Sequence, residues 1–185
     1  MRIGLVPVGK RVDEALVSFL AAELGRSFGL AVEVVAPLPT PRYAYDQRRR
    51  QYLSSSILIR LRRLRDGVFS RILGIAEVDL FVPSLNFVFG EADMVHGVAL
   101  ISLFRLRPEN YGRPPEPLLL RERALKEAVH ELGHTFGLMH CPNFRCVMYF
   151  SNQLADTDRK RASFCRNCQA LLSGDLKEAT RGRGR

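Results

Sequence analysis

One short segment of the chain combines residue types and spacings that could do chemistry. His130, Glu131, His134 and His140 all lie within the segment HELGHTFGLMH. On a helix, positions i and i+4 share one face, so His130 and His134 can bind one metal ion together. Glu131 is rotated by about 100° from His130. From there its carboxylate can reach a water molecule on the same ion.

Gly137 predicts how the third histidine joins the first two. Glycine readily takes the left-handed conformation that ends a helix, and the reversed chain can bring His140 back as a ligand. Three histidines leave one position of a tetrahedral zinc free for water, as a catalytic site requires. The simpler alternative is a buried helical histidine pair and two unrelated surface histidines. The full spacing favours the zinc site.

Four cysteines form a second set with the spacing of metal ligands. Cys141-x4-Cys146 and Cys165-x2-Cys168 can close one tetrahedral thiolate site. Disulfides are rare in the cytoplasm, and a haem-attachment motif would need a histidine at position 169, where the chain has Gln169. The sequence therefore predicts two zinc ions, one catalytic and one structural.

These two residue sets resemble a known family of peptidases. The histidine segment matches the metzincin signature HExxHxxGxxH, and Met148 falls where metzincins have the methionine of a turn beneath the metal. The cysteine set, beginning directly after the third histidine, is similar to that of the archaemetzincins. The resemblance implies a zinc-dependent metallopeptidase that hydrolyses peptide bonds through a zinc-bound water activated by Glu131. It leaves aminopeptidase and endopeptidase activity unresolved.

The resemblance also implies where a substrate binds. In metzincins an extended substrate pairs with a strand at the rim of the cleft, and the corresponding residues here are Asn86, Phe87, Val88, Phe89 and Gly90. For the two phenylalanine rings, burial in the core is the alternative.

Three further features are left open. Some metzincins use a tyrosine two positions after the methionine, whereas Tyr149 follows Met148 directly. An aminopeptidase would need an acidic group to hold the free amine, for which Glu91, Asp93 and Glu116 are candidates. His96 lies in a predicted turn, where a lone histidine is seldom a ligand.

The charge of the chain permits a different class of function. The formal net charge is +9, with many arginines between positions 48 and 65. A basic, zinc-stabilised nucleic-acid-binding or interaction module with an inactive hydrolase motif is therefore the alternative function. A solvated arginine-rich surface explains the charge more simply. We expect a monomer that binds peptide or protein substrates and has no membrane partner.

The location is predicted from the apolar pattern. No apolar run approaches the ~20 residues of a membrane span. The start, MRIGLVP, is too quickly charged for a secretory signal. We therefore expect a cytoplasmic protein.

The elements that position these residues are predicted to form a mixed, mostly parallel five-stranded sheet with packed helices. Strands at 2–8 and 31–35 enclose a helix, a parallel βαβ unit. Further strands are expected at 71–76, 86–90 and 97–106.

Three helices complete the predicted fold. Ser54–Ser56 should cap one helix, the metal helix should span 120–136, and a terminal helix should span 163–179. The proline-rich segment 107–118 either borders the cleft or is an inert connector.

We expect one compact catalytic domain with two parts. Residues 1–137 form an N-terminal α/β part that includes the metal helix. Residues 138–180 form a smaller part with the methionine turn and the terminal helix, which the thiolate zinc stabilises. Residues 181–185 are expected to be a disordered tail.

Overall fold

The first elements form the parallel unit that the sequence predicts. The computed structural model describes residues 1–9, 12–65 and 67–181. Strand β1 (Arg2–Val8) is followed by helix α1 (Glu14–Phe28) and strand β2 (Ala31–Val34), which pairs with β1 in parallel. Gly29 ends α1 with φ of 64°, the left-handed conformation expected of it.

A small second sheet and a short helix follow. Strands β3 (Tyr45–Asp46) and β4 (Gln51–Leu53) precede helix α2 (Ser54–Arg62), and strands β5 (Arg71–Ala76) and β6 (Leu80–Phe81) come after it. The second sheet has the order β3-β4-β6.

The main sheet is completed by strands β7 (Gly90–Asp93) and β8 (Val98–Ser102). Its order is β2-β1-β5-β8-β7, with β7 antiparallel to β8 and every other pair parallel. Adjacent residues of a strand point to opposite faces. Accordingly Leu73 packs in the core that contains α1, whereas Ile72 packs in the core that contains α2. The predicted mixed, mostly parallel sheet is confirmed.

The helices after the sheet carry the candidate site. Helix α3 (Pro117–Thr135) follows a 3-10 turn at Pro108–Tyr111, and helices α4 (Leu154–Arg159) and α5 (Arg166–Arg181) complete the chain. Of the predicted tail, Arg181 is the last residue of α5, and 182–185 lie outside the described residues. Within the part of the chain that is described, no helix is both long enough and apolar enough to cross a bilayer.

The rim strand predicted at Asn86–Gly90 was placed wrongly. Apart from one bridge between Leu80 and Val88, residues 86–89 are irregular, and the edge strand β7 begins at Gly90. Single backbone hydrogen bonds join Val88 to Leu80 at 3.0 Å and Phe89 to Ser102 at 2.8 Å, and side chains hold the start of the segment. The carbonyl of Asn86 accepts hydrogen bonds from Arg49 Nη2 at 3.2 Å and from Gln51 Nε2 at 2.9 Å.

Two other predicted boundaries were wrong for local reasons. Ser54 does not cap α2, because its hydroxyl donates to Phe81 O at 3.1 Å and contacts the Glu91 carboxylate. The strand predicted at 97–106 ends at Ser102, whose hydroxyl donates to Val78 O at 2.6 Å and accepts from the Phe104 N–H at 3.1 Å. The chain then turns into a short 3-10 helix.

Candidate metal centres and cleft

The three predicted histidine ligands meet at the end of α3. His130 and His134 lie one turn apart, and the chain reverses at Gly137, where φ is 82°. This reversal returns His140 to the pair, so that one ring nitrogen from each histidine lies within 4.8 Å of the others. The Nε2 atoms of His130 and His134 are 3.1 Å apart. The three rings thus converge on a volume that one ion could fill.

Backbone carbonyls determine which ring nitrogen of His130 and of His134 is available to bind a metal. His130 Nδ1 lies 2.8 Å from Val147 O, and His134 Nδ1 lies 2.7 Å from Leu138 O. A carbonyl can only accept, so each Nδ1 carries the proton and each Nε2 presents a lone pair. Zinc-binding histidines are commonly held by such a bond to the other ring nitrogen.

The surroundings also keep the three rings uncharged. Burial lowers the pKa of His130 well below its usual value, and the nearby ammonium of Lys160 lowers it further. Burial likewise lowers the pKa of His134 and of His140. Neutral imidazole is the form that binds metal. The donor set therefore fits zinc.

Glu131 is buried beside the triad, against the backbone of β7. Burial raises the pKa of its carboxyl well above the usual value, and the neighbouring Glu127 raises it further. A carboxyl with a raised pKa is suited to accept a proton near neutral pH. A Cβ added to Gly90 would lie 2.6 Å from Glu131 Cγ and 2.7 Å from its Oε1. The absence of a side chain at Gly90 thus makes room for Glu131.

We expect Gly90→Ala to displace the Glu131 carboxylate and to lower kcat/KM by about 10²-fold, since a 1 Å misplacement can cost that much. The added methyl group would also approach Leu100 O at 2.7 Å, so melting temperature and zinc content should be measured beside activity. Gly174→Ala is the control, because nothing lies within 4 Å of a Cβ there. A fully active Gly90→Ala variant would show that this contact does not position Glu131.

Met148 lies beneath the metal helix, as the resemblance implies. It is fully buried, and a Cβ on Gly133 would approach its Sδ to 2.5 Å. The sulfur therefore packs against the turn between His130 and His134. Tyr149 follows Met148 but does not line the cleft described below, whereas Phe150 does, with its ring centroid 4.8 Å from that of His140.

The four cysteines gather into a second cluster. Their sulfurs lie within 4.8 Å of one another, and Cys141 Sγ is 3.8 Å from Cys165 Sγ. Two ligands of a tetrahedral zinc with Zn–S bonds of about 2.3 Å are about 3.8 Å apart, so this spacing fits. The backbone N–H of Cys168 and burial act in opposite directions on Cys165, and the pKa of its thiol is lowered to about 7. Thiolate formation at Cys165 is therefore favourable.

A cleft of about 210 Å³ lies beside His130 and Glu131. It is lined by residues 85–90, by residues 150–152, and by Glu127, His130 and Glu131 of α3. The five residues predicted to bind substrate therefore line the cleft, although they do not form a strand. Within the described residues, none of the segment 107–118 lines it.

The candidate groups for holding a free amine are engaged elsewhere. The Glu91 carboxylate contacts the Ser54 hydroxyl, Asp93 lies 2.6 Å from His96 Nδ1, and Glu116 lies 3.1 Å from an Arg113 nitrogen. None of these three acidic residues is among the described residues that line the cleft. His96 lies in the turn predicted for it and is not part of the histidine cluster.

Two polar residues beside the cleft were missed by sequence reasoning. Glu127 precedes Glu131 by one helical turn and lines the cleft, a position that helical periodicity could have revealed. Lys160 lies just after α4, with its Nζ 2.9 Å from Glu127 Oε1. No motif in the sequence connects Lys160 with α3.

Comparisons with known proteins agree with this geometry. The family described as Peptidase family M54 matches residues 20–174. The archaemetzincin of Pyrococcus furiosus is 48% identical over 178 residues, which cover 93% of this chain and 92% of that protein.

Solved structures are similar over nearly the whole chain. The crystal structure of archaemetzincin from Methanopyrus kandleri gives a TM-score of 0.84 at 40% identity and covers 96% of each chain. A zinc-dependent peptidase from Methanocorpusculum labreanum also gives 0.84, at 32% identity, and covers 91% of this chain and 99% of its own.

Proposed function

The chain belongs to peptidase family M54, and from this we infer that His130, His134 and His140 hold the catalytic zinc of a metallopeptidase in which Glu131 is the general base. As a member of that family the protein is a zinc metallopeptidase, and its substrates are peptides or proteins. The convergence of three neutral imidazoles beside a buried carboxyl is the observation that supports these residue roles most strongly.

The proposed reaction is hydrolysis of a peptide bond by water. When bound, zinc supplies a Lewis acid that polarises the scissile carbonyl and makes a water molecule more acidic. Glu131 accepts the proton of the attacking water and then gives it to the leaving amine. Gly90 keeps the space in which this carboxylate lies, and the carbonyls of Val147 and Leu138 keep two imidazoles oriented.

We propose that Cys141, Cys146, Cys165 and Cys168 hold the structural zinc and thereby position the third histidine. His140 and Cys141 are neighbours, so the two metal sites share one backbone segment. The Cys141 N–H donates to Met148 O at 2.9 Å, which ties this segment to the turn beneath the helix. This supports the division into residues 1–137 and 138–180 as two parts of one catalytic domain.

We propose a cytoplasmic monomer that does not depend on nucleic acid. A cysteine cluster suited to metal rather than to disulfides favours a reducing compartment. Several arginines form ion pairs with carboxylates, including Arg105 with Asp79 at 2.6 Å and Arg123 with Asp158 at 2.7 Å, so these guanidinium groups are already engaged within the protein.

Removing zinc and adding it back tests the proposed catalytic zinc site. Treatment with a chelator should abolish cleavage of a peptide library, and added zinc should restore it, because the three imidazoles supply a reversible site. Zinc content and melting temperature, measured in parallel, separate loss of the catalytic ion from unfolding. Cleavage that continues in a folded, zinc-free protein would contradict the proposal.

A further inference from the structure

The cleft contains polar groups that the proposed hydrolysis does not use. Its lining includes apolar residues such as Phe87, Val88 and Phe150. Besides His130 and Glu131, the polar residues that line it are Asn86, Glu127, Ser151 and Asn152. Glu127 lies on the same face of α3 as Glu131, one turn earlier, and is therefore close to the reacting bond.

Glu127 is buried, and one of its two carboxylate oxygens has partners within the protein. Its Oε1 accepts a hydrogen bond from the Thr157 hydroxyl at 3.0 Å and lies 2.9 Å from Lys160 Nζ. The Lys160 side chain is fully buried, and its contact with Glu127 is an ion pair whose angles do not suit a hydrogen bond. None of the described hydrogen bonds uses Glu127 Oε2. The charges of Glu127 and Lys160 therefore cancel each other, and Glu127 Oε2 can still accept a hydrogen bond.

Ser151 is a second polar residue that lines the cleft. Its Oγ is buried and has no hydrogen-bond partner within the described residues. Buried polar atoms are usually paired because an unpaired one is costly. Ser151 thus points to a ligand that supplies the missing partner.

We propose that Glu127 and Ser151 form a specificity pocket for the side-chain carboxamide of glutamine or asparagine next to the scissile bond, an inference that rests on the proposed function. The amide NH₂ would donate to Glu127 Oε2, and the amide oxygen would accept from the Ser151 hydroxyl. An apolar side chain leaves Glu127 Oε2 and the Ser151 hydroxyl without a partner, which disfavours it in a site built for hydrogen bonding.

The ion pair between Lys160 and Glu127 disfavours charged substrate side chains in this pocket. A lysine or arginine of the substrate would place a second cation beside a carboxylate that Lys160 already neutralises. A glutamate would place its carboxylate next to that of Glu127. An uncharged side chain with one donor and one acceptor can pair with both Glu127 Oε2 and the Ser151 hydroxyl without adding charge.

Peptides that differ only at the residues flanking the scissile bond test the proposal. We expect kcat/KM for glutamine to exceed that for methionine, which has a similar length, by at least about tenfold at one flank. Ser151→Ala should lower this ratio, and Ser18→Ala, a change of an exposed serine on α1, should leave it unchanged. Lys160→Met should shift the preference toward lysine, because it leaves the Glu127 charge without its partner.

The outcomes separate this inference from the proposed function. A zinc-dependent cleavage in which methionine equals or exceeds glutamine at both flanks would overturn the specificity pocket and leave the peptidase centre intact. A glutamine preference that Ser151→Ala does not change would also overturn it. Failure to cleave any peptide with zinc present would contradict the proposed function, and the pocket with it.

Discussion

Replacing Glu131 by alanine is expected to lower kcat for peptide hydrolysis by about 10²–10⁴-fold, the contribution typical of a positioned general base. The reason is that Glu131 adjoins His130 in the buried site, and burial raises the pKa of its carboxyl well above the usual value. Zinc should still bind, because Glu131 is not among the three converging ligands. Peptide turnover, zinc content and melting temperature should be measured on the same preparation.

Two control variants sharpen this result. Glu131→Gln keeps the shape that packs against Gly90 but cannot accept the proton at neutral pH, so it should be as inactive as the alanine variant. Glu33→Ala removes a carboxylate on β2, the strand at the opposite edge of the sheet, and should retain full activity. Wild-type activity in either Glu131 variant would remove Glu131 from the mechanism.

The second large effect is expected on stability. Changing both Cys165 and Cys168 to serine should lower the free energy of unfolding by more than about 4 kcal/mol, since structural zinc sites contribute directly to folding. For a chain of this size each kcal/mol corresponds to about 2–4 °C in melting temperature. We therefore expect the melting temperature to fall by about 10 °C or more. Calorimetry with and without added zinc measures the change.

The same variant should also weaken catalysis indirectly. Cys141 adjoins His140, so loss of the thiolate site loosens the segment that returns the third histidine to α3. Ser173→Ala on α5 is a matched control, because among the described residues the Ser173 hydroxyl bonds within its own helix, to Gln169 O at 2.8 Å. An unchanged melting temperature in the double cysteine variant, with two zinc ions still bound, would show that these cysteines hold no structural metal.

Much of the fold could be predicted because local signals agreed with one another. The strand at Arg2–Val8 is apolar throughout, and Gly29 marks the end of α1. Helical spacing of His130 and His134, with glycine at the reversal, was enough to bring His140 back to them. In each case the deciding interactions lie within a few residues of one another in the chain.

The errors arose where distant residues decide the local structure. Asn86 is held by Arg49 and Gln51, residues more than thirty positions earlier, so alternating phenylalanines did not produce a strand there. Ser54 bonds to Phe81 instead of capping α2. The pairing of Lys160 with Glu127 likewise joins α3 to the segment after α4, a contact that periodicity cannot reveal.

Anomalous diffraction at the zinc edge from crystals of the zinc-loaded protein tests the central claim most directly. We predict two peaks. One should lie about 2.0–2.1 Å from one ring nitrogen of each of His130, His134 and His140, with its remaining position open to solvent, and the other among the four cysteines. A catalytic peak with fewer than three histidine ligands, or one whose last position is closed by a side chain of the protein itself, would contradict the account.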